Sequence, residues 1–235
     1  MTVLVAIYGD HPWNLPPSFV EGLRGRHPHH RFVQATSEQE VLERIDDADI
    51  GFLGRLNEEG LARASRLVWI HSPSAGIGSL LFPAMLASRV VITNSRGLHG
   101  PAMAEHVIGV TLALFRQLHT AILSQAGHRW VRADLSEVRM LRGRQMGIVG
   151  LGGVGASVAA TASALGMHVV ATRRHADRPR PAGVEEVYPP SGLARLLKTS
   201  DVVVLAAPHT RETRELIGSR EIGLSTLPSS CFTAP

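Results

Sequence analysis

The segment Met146-Gly-Ile-Val-Gly-Leu-Gly-Gly-Val-Gly155 constrains the fold more than any other part of the chain. A short apolar run, Met146 to Val149, enters a turn in which Gly150, Gly152 and Gly155 stand at G-x-G-x-x-G spacing. Small and apolar residues then continue in a helical register through Ala156, Ala159, Ala160 and Leu165. The first glycine permits a tight strand-to-helix turn, the second lets the backbone approach a pyrophosphate, and the third lets helix pack on strand. The helix N-terminus adds free N–H groups and the positive end of a dipole. Geometry alone can also demand glycine in such a turn, so a purely structural role stays open. A second strand-like run, His168-Val-Val-Ala-Thr172, follows where a ribose-reading residue is expected. It favours a dinucleotide site built on Gly150, Gly152, Gly153, Val154 and Gly155.

The residues that end this second strand bear on the cofactor. A carboxylate there would accept hydrogen bonds from a ribose 2′-OH. The chain has Thr172-Arg173-Arg174-His175 instead, with no acid before Asp177. Guanidinium groups suit a 2′-phosphate, which they hold through paired N–H bonds. Arg173 and Arg174 therefore point to NADP, with NAD as the alternative and an exposed basic turn as the plain structural reading.

At 235 residues the chain can form one large domain or two modest ones. Strand-like runs at Val3–Tyr8, Arg31–Ala35, Ile50–Leu53, Leu67–Ile70 and Val90–Thr93 are separated by helical stretches, one opened by the capping-box pattern Ser37-x-x-Glu40. Strands separated by about one helix each imply βαβ units and a mostly parallel sheet. Pro101 begins an apolar helix expected to run from Ala102 to about Ser124, apolar nearly all round and so expected to be buried between domains. An arginine-rich connector, 127–145, leads to the glycine turn and to further strands near Val184–Val187 and Asp201–Ala206. The expected organisation is an α/β protein with a first domain over 1–98 and a dinucleotide-binding domain over 99–235.

Several chemistries have no support. No stretch approaches the roughly twenty apolar residues of a membrane span, and no signal-peptide pattern opens the chain. Cys231 is the single cysteine, which fits a cytoplasmic protein without disulfides. The net charge is +4 and almost wholly carried by scattered arginines, with Lys198 the only lysine, so no nucleic-acid surface is expected. His27, His29 and His30 lack further ligands at metal-site spacing, so no metal is expected.

Five ordered segments resemble a known family: Trp69-Ile-His-Ser-Pro-Ser-Ala-Gly-Ile77, Thr93-Asn-Ser-Arg-Gly97, Ala104-Glu-His106, Gly150 to Gly155, and Ala207-Pro-His-Thr-Arg-Glu-Thr213. Their order, over roughly residues 50 to 225, is similar to that of the D-isomer-specific 2-hydroxyacid dehydrogenases. The resemblance implies a flavodoxin-like substrate domain, a Rossmann domain, a cleft between them, and a homodimer. It also implies hydride transfer between a nicotinamide and a small 2-oxo or 2-hydroxy acid. Ala75, Gly76 and Ile77 match the loop whose N–H groups hold the substrate carboxylate, with Gly78 where an Asp is common. Pro208, Thr210 and Thr213 match a loop closing over the cofactor, with His209 in place of leucine. Glu105 and His106 match a motif that helix capping or packing explains equally well. Arg55 and His99 lie on segments that could face the cleft. The family's Asn-x-x-Arg-Gly motif, Glu and later His have no match up to Pro235, and Ser225 to Pro235 resembles nothing in the family. The expectation is a frameshift or truncation near residue 225, an incomplete Rossmann domain, no assignable catalytic residue, and impaired turnover. A nucleotide-binding pseudoenzyme or interaction module is the alternative from another class.

Overall fold

The computed structural model describes residues 1–8, 15–130, 137–224 and 231–233. The chain divides into two compact units, Met1–Leu98 and His99–Pro235. The first contains β1 (Thr2–Ala6), α1 (Pro17–Arg26), β2 (Arg31–Gln34), α2 (Glu38–Arg44), β3 (Ile50–Leu53), α3 (Glu58–Arg63), β4 (Trp69–Ser72), α4 (Pro83–Ala87) and β5 (Val91–Asn94). These strands form a parallel sheet in the order β2-β1-β3-β4-β5, around a core that includes Leu4, Ile45, Leu53, Ile70 and Leu80. The order reverses at β1, so the loops leaving β1 and β3 part company at the carboxyl edge, where α/β sheets commonly open a crevice. Tyr8 and Arg55 stand there, the guanidinium 5.5 Å from the ring centroid.

The caps follow from local chemistry, with one adjustment. The Ser37 hydroxyl accepts from Glu40 N–H at 3.2 Å, as the capping box requires. The Glu40 carboxylate reaches back one residue further than the motif implies and accepts from Thr36 N–H at 2.9 Å. Asn57 caps α3 by accepting from Gly60 N–H at 2.8 Å, and its amide donates to Glu38 at 2.7 Å, joining the starts of α3 and α2. The fourth strand begins two residues later than the apolar run suggests. Leu67 N–H closes a turn onto Ala64, and pairing with β3 sets Trp69 opposite Ile50. Apolarity marked the buried stretch, but only the neighbouring strands set the register.

Asp49 ties the entrance of this sheet together. Its carboxylate accepts from Thr2 N–H at 2.6 Å and from Arg66 at 2.9 Å. The Thr2 N–H above all, then Arg66, holds Asp49 below the ordinary carboxylate range. A lowered native pKa contributes stability that is present above the unfolded-state pKa and lost as pH falls through the native one. Asp49→Asn is therefore expected to lower the urea midpoint at neutral pH, with the difference from the parent shrinking to nothing on acidification. A deficit that persists unchanged to low pH would show that the charge on Asp49 is not responsible.

The second unit contains α5 (Gly100–Phe115), α6 (Leu118–Ala126), β6 (Gln145–Val149), α7 (Gly153–Ala164), β7 (His168–Thr172), β8 (Glu186–Tyr188), α8 (Leu193–Thr199), β9 (Val202–Leu205), α9 (Ser219–Ile222) and β10 (Cys231–Thr233). Its parallel sheet has the order β10-β9-β6-β7-β8. Read from β8, this is the Rossmann succession 3-2-1-4-5, with the reversal between β6 and β9. Part of the tail whose sequence resembles nothing in the family joins this sheet as β10, where Cys231–Thr233 pairs parallel with β9. Residues 225–230 and 234–235 of that tail, and 131–136 of the arginine-rich connector, lie outside the described residues.

The single long helix expected from Ala102 to Ser124 is two helices, bent by 72°. The break is at Gln117, which adopts a left-handed φ of 50° without glycine or proline to announce it. Nor is α5 buried all round. Ala104, Val107, Ile108, Thr111 and Phe115 are buried, whereas Glu105, His106 and Gly109 are exposed and Leu114 is 38% exposed. The buried side packs in one core with Val158, Ala159 and Ala162 of α7. The approach is close: a Cβ on Gly100 would stand 2.5 Å from the Ser157 hydroxyl. Among the described residues no single helix is long and apolar enough to cross a membrane.

Candidate functional site

Three loops converge at the carboxyl edge of the second sheet, after β6, β7 and β9. The loop after β6 is the glycine turn. Gly150 N–H donates to Thr172 O at 2.9 Å, and the residue sits at φ 99°, a conformation closed to most side chains. A Cβ there would lie 2.5 Å from Ala207 N, so the turn is pressed against the loop after β9. A Cβ on Gly155 would collide with the Gly150 carbonyl oxygen. Both glycines are thus required by the fold itself.

Gly152 differs. Its φ of −88° suits any residue, and a Cβ would meet nothing within 4 Å. Neither backbone nor packing asks for glycine at this position. It is the N-cap of α7, no side chain caps that helix, and Gly152 and Gly153 are exposed. The start of α7 is therefore an exposed pair of glycines with the positive end of the helix dipole behind it. The residues present fit a pyrophosphate: an anion can approach the backbone at Gly152 without meeting a side chain.

At the end of β7 the two arginines have different employment. Arg173 turns back and its Nη2 donates to the carbonyls of Arg178 and Pro179, the latter at 3.3 Å, so it braces the loop that follows its own strand. Its Nε is buried and has no partner among the described residues. Arg174 is exposed, and its Nη2 lies 3.6 Å from the Glu212 carboxylate on the loop after β9. Of the two guanidiniums expected to serve a 2′-phosphate, Arg173 has its Nη2 on local carbonyls and Arg174 faces the loop after β9.

The loop after β9 is knotted by its threonines. The Thr213 hydroxyl donates to Pro208 O at 2.6 Å and accepts from Thr210 N–H at 2.7 Å. Pro208, Thr210 and Thr213 are therefore one local unit. The Thr210 hydroxyl also donates to Glu212 at 2.6 Å. This bond foremost, then Glu212's own N–H and the charges of Arg174 and Arg211, keeps the Glu212 carboxyl below its ordinary range. Sequence reasoning passed over Glu212, because nothing local relates it to Arg174.

In the first unit, Ala75, Gly76 and Ile77 lie in the loop after β4, before a 3-10 turn at Gly78–Leu80. Among the described residues none accepts a hydrogen bond from the N–H groups of these three. A Cβ on Gly76 would meet nothing within 4 Å. The loop is held from behind by two residues not singled out beforehand. Asn94 donates to Ala75 O at 2.6 Å, and the Ser79 hydroxyl donates to Gly54 O at 3.0 Å. Three N–H groups on an open, braced loop have the chemistry to cradle an anion. His99 precedes α5 without capping it, and Glu105 and His106 are on that helix's exposed side. Among the described residues no group of three or more His, Cys, Asp or Glu could hold a metal ion.

Comparison with known proteins gives a consistent result. Residues 108–227 match the sequence profile described as "D-isomer specific 2-hydroxyacid dehydrogenase, NAD binding domain". The D-3-phosphoglycerate dehydrogenase of Methanocaldococcus jannaschii is 26% identical over 193 residues, covering 80% of this chain and 36% of that protein. The protein of the same name from Mycobacterium bovis is 29% identical over 222 residues, covering 92% of this chain and 40% of its own. The chain thus spans well under half the length of these curated relatives. The crystal structure of a D-isomer specific 2-hydroxyacid dehydrogenase family protein from Aeromonas salmonicida superposes with a TM-score of 0.78 at 31% identity, over 91% of this chain and 66% of that one.

Proposed function

Because the chain belongs to the D-isomer specific 2-hydroxyacid dehydrogenase family, we propose that its second unit binds NADP in preference to NAD and that the protein serves hydride transfer between the nicotinamide and a small 2-oxo or 2-hydroxy acid. The observation that carries this reading is Gly152, a glycine that the fold does not need, placed before the uncapped N-terminus of α7. Backbone N–H groups there would hold the pyrophosphate, with Gly150 and Gly155 giving the turn its shape. The dinucleotide supplies the hydride; the protein positions it through the turn, the Pro208–Thr213 loop and the end of β7. In the first unit the N–H groups of Ala75, Gly76 and Ile77 hold the acid's carboxylate, with Asn94 keeping the loop in shape.

The NADP preference rests on Arg174, since no carboxylate ends β7 to accept from a 2′-hydroxyl. Titration of the protein with NADPH and NADH, followed by nicotinamide fluorescence, is expected to show NADPH binding about tenfold more tightly, the low end for a charged hydrogen bond because the guanidinium is exposed. Arg174→Ala is expected to bring the two affinities together. Equal affinities in the parent, or tighter NADH, would sink the NADP assignment while leaving the dinucleotide site standing.

A further inference from the structure

We infer that Glu212 is an internal anion standing in for the cofactor's 2′-phosphate: it occupies Arg174 when no phosphate is there and so sets how strongly the site discriminates between phosphorylated and unphosphorylated dinucleotides. The inference rests on the NADP reading above and adds a residue that opposes it. Glu212 and Arg174 come from different loops, after β9 and β7, and meet only because the sheet places β6 between those strands. The carboxylate is exposed, as is the guanidinium, but it is not free to turn away. The Thr210 hydroxyl fixes it at 2.6 Å, and Thr210 is itself fixed by its N–H bond to Thr213 at 2.7 Å. Arg173 turns its Nη2 to the carbonyls of Arg178 and Pro179, so the guanidinium that meets Glu212 is that of Arg174.

The consequences follow from charge. A monoanionic carboxylate at 3.6 Å is a loose partner for a guanidinium, whereas a phosphate offers paired, shorter contacts. A 2′-phosphate can take Arg174, but its negative charge then arrives beside a carboxylate that Thr210 keeps in place. An unphosphorylated ribose meets neither the competition nor the repulsion. Glu212 therefore weakens binding of the phosphorylated ligand alone, and the preference measured in the parent is smaller than Arg174 by itself would produce.

The test uses 2′,5′-ADP and 5′-AMP as probes, with dissociation constants measured by calorimetry on the full chain as parent, Glu212→Gln, Arg174→Ala and the double variant. Gln keeps the acceptor for Thr210 and removes the charge. Glu212→Gln is expected to raise the preference for 2′,5′-ADP over 5′-AMP by roughly three- to tenfold, the scale of exposed charge pairs with an added like-charge repulsion. The same substitution is expected to do much less to that preference when Arg174 is already alanine. If Arg174→Ala lowers the preference but Glu212→Gln leaves it unchanged, the inference fails and the NADP reading stands. If Glu212→Gln alters both affinities equally, Glu212 is only a loop brace and the inference fails. If neither substitution moves the preference, the inference and the NADP reading fall together.

Discussion

Replacing Gly150 with alanine is expected to destabilise the second unit by roughly 2–6 kcal/mol, the combined cost of a disallowed backbone conformation and of overpacking. Two independent features of the site add up here. The residue lies at φ 99°, where a side chain strains the backbone. The space a Cβ would take is filled by backbone, with Ala207 N at 2.5 Å and Ala207 Cα at 2.6 Å, and backbone cannot swing away as a side-chain tip can. Relief would require the loop after β9 to leave the end of β6, giving up the Ala206 N–H bond to Val149 O at 2.8 Å. A loss of this size is a large part of the total stability of a domain, typically about 5–15 kcal/mol. The first unit has its own core around Leu4, Leu53 and Ile70, so its structure is expected to survive. Urea unfolding followed by far-UV circular dichroism reads this out as an early transition belonging to residues 99–235. A Gly150→Ala protein with the parent's midpoint and slope would show that the turn can open without penalty.

Gly152→Val is expected to do the reverse, removing dinucleotide binding and sparing the fold. No atom lies within 4 Å of the Cβ position, so valine is accommodated by the protein at a cost of about 1 kcal/mol for a poorer N-cap. The same side chain then fills the space before α7 that a pyrophosphate needs. Loss of two charged hydrogen bonds, about 1.5–3 kcal/mol each, corresponds to at least a hundredfold weaker binding. Nicotinamide fluorescence titration of NADPH, with circular dichroism as the check on folding, measures both halves of the claim. Unchanged affinity in a folded Gly152→Val protein would mean that the glycine turn is structural only. The pair of substitutions separates two reasons for glycine that the spacing G-x-G-x-x-G cannot tell apart.

What could be read from the sequence was what short-range physics settles. The run Met146–Val149 into Gly150 specified strand and turn, Ser37 with Glu40 specified a helix start, and alternating strand and helix signals implied parallel α/β sheets. The glycine turn could be picked out because its spacing lies within ten consecutive residues, whereas Pro208 to Thr213 and Ala75 to Ile77 were marked by the family resemblance. Where neighbours remote in sequence decide, local pattern was insufficient. Pairing with β3 and β5 moved the fourth strand to Trp69–Ser72. A backbone reversal at Gln117 ended a helix whose apolar periodicity runs straight through it.

The arginine pair shows the division most sharply. Sequence by itself established that β7 ends in two guanidiniums and no carboxylate, which is a statement about composition at a known place in a βαβ unit. Only the tertiary structure assigned Arg173 to the carbonyls of its own loop and Arg174 to a carboxylate on another. The physical reason is that a strand-turn-helix forms from interactions a few residues apart, which spacing encodes directly. The partner of a long side chain is selected by whatever the sheet order brings within its reach, and here that order places the end of β9 across β6 from the end of β7.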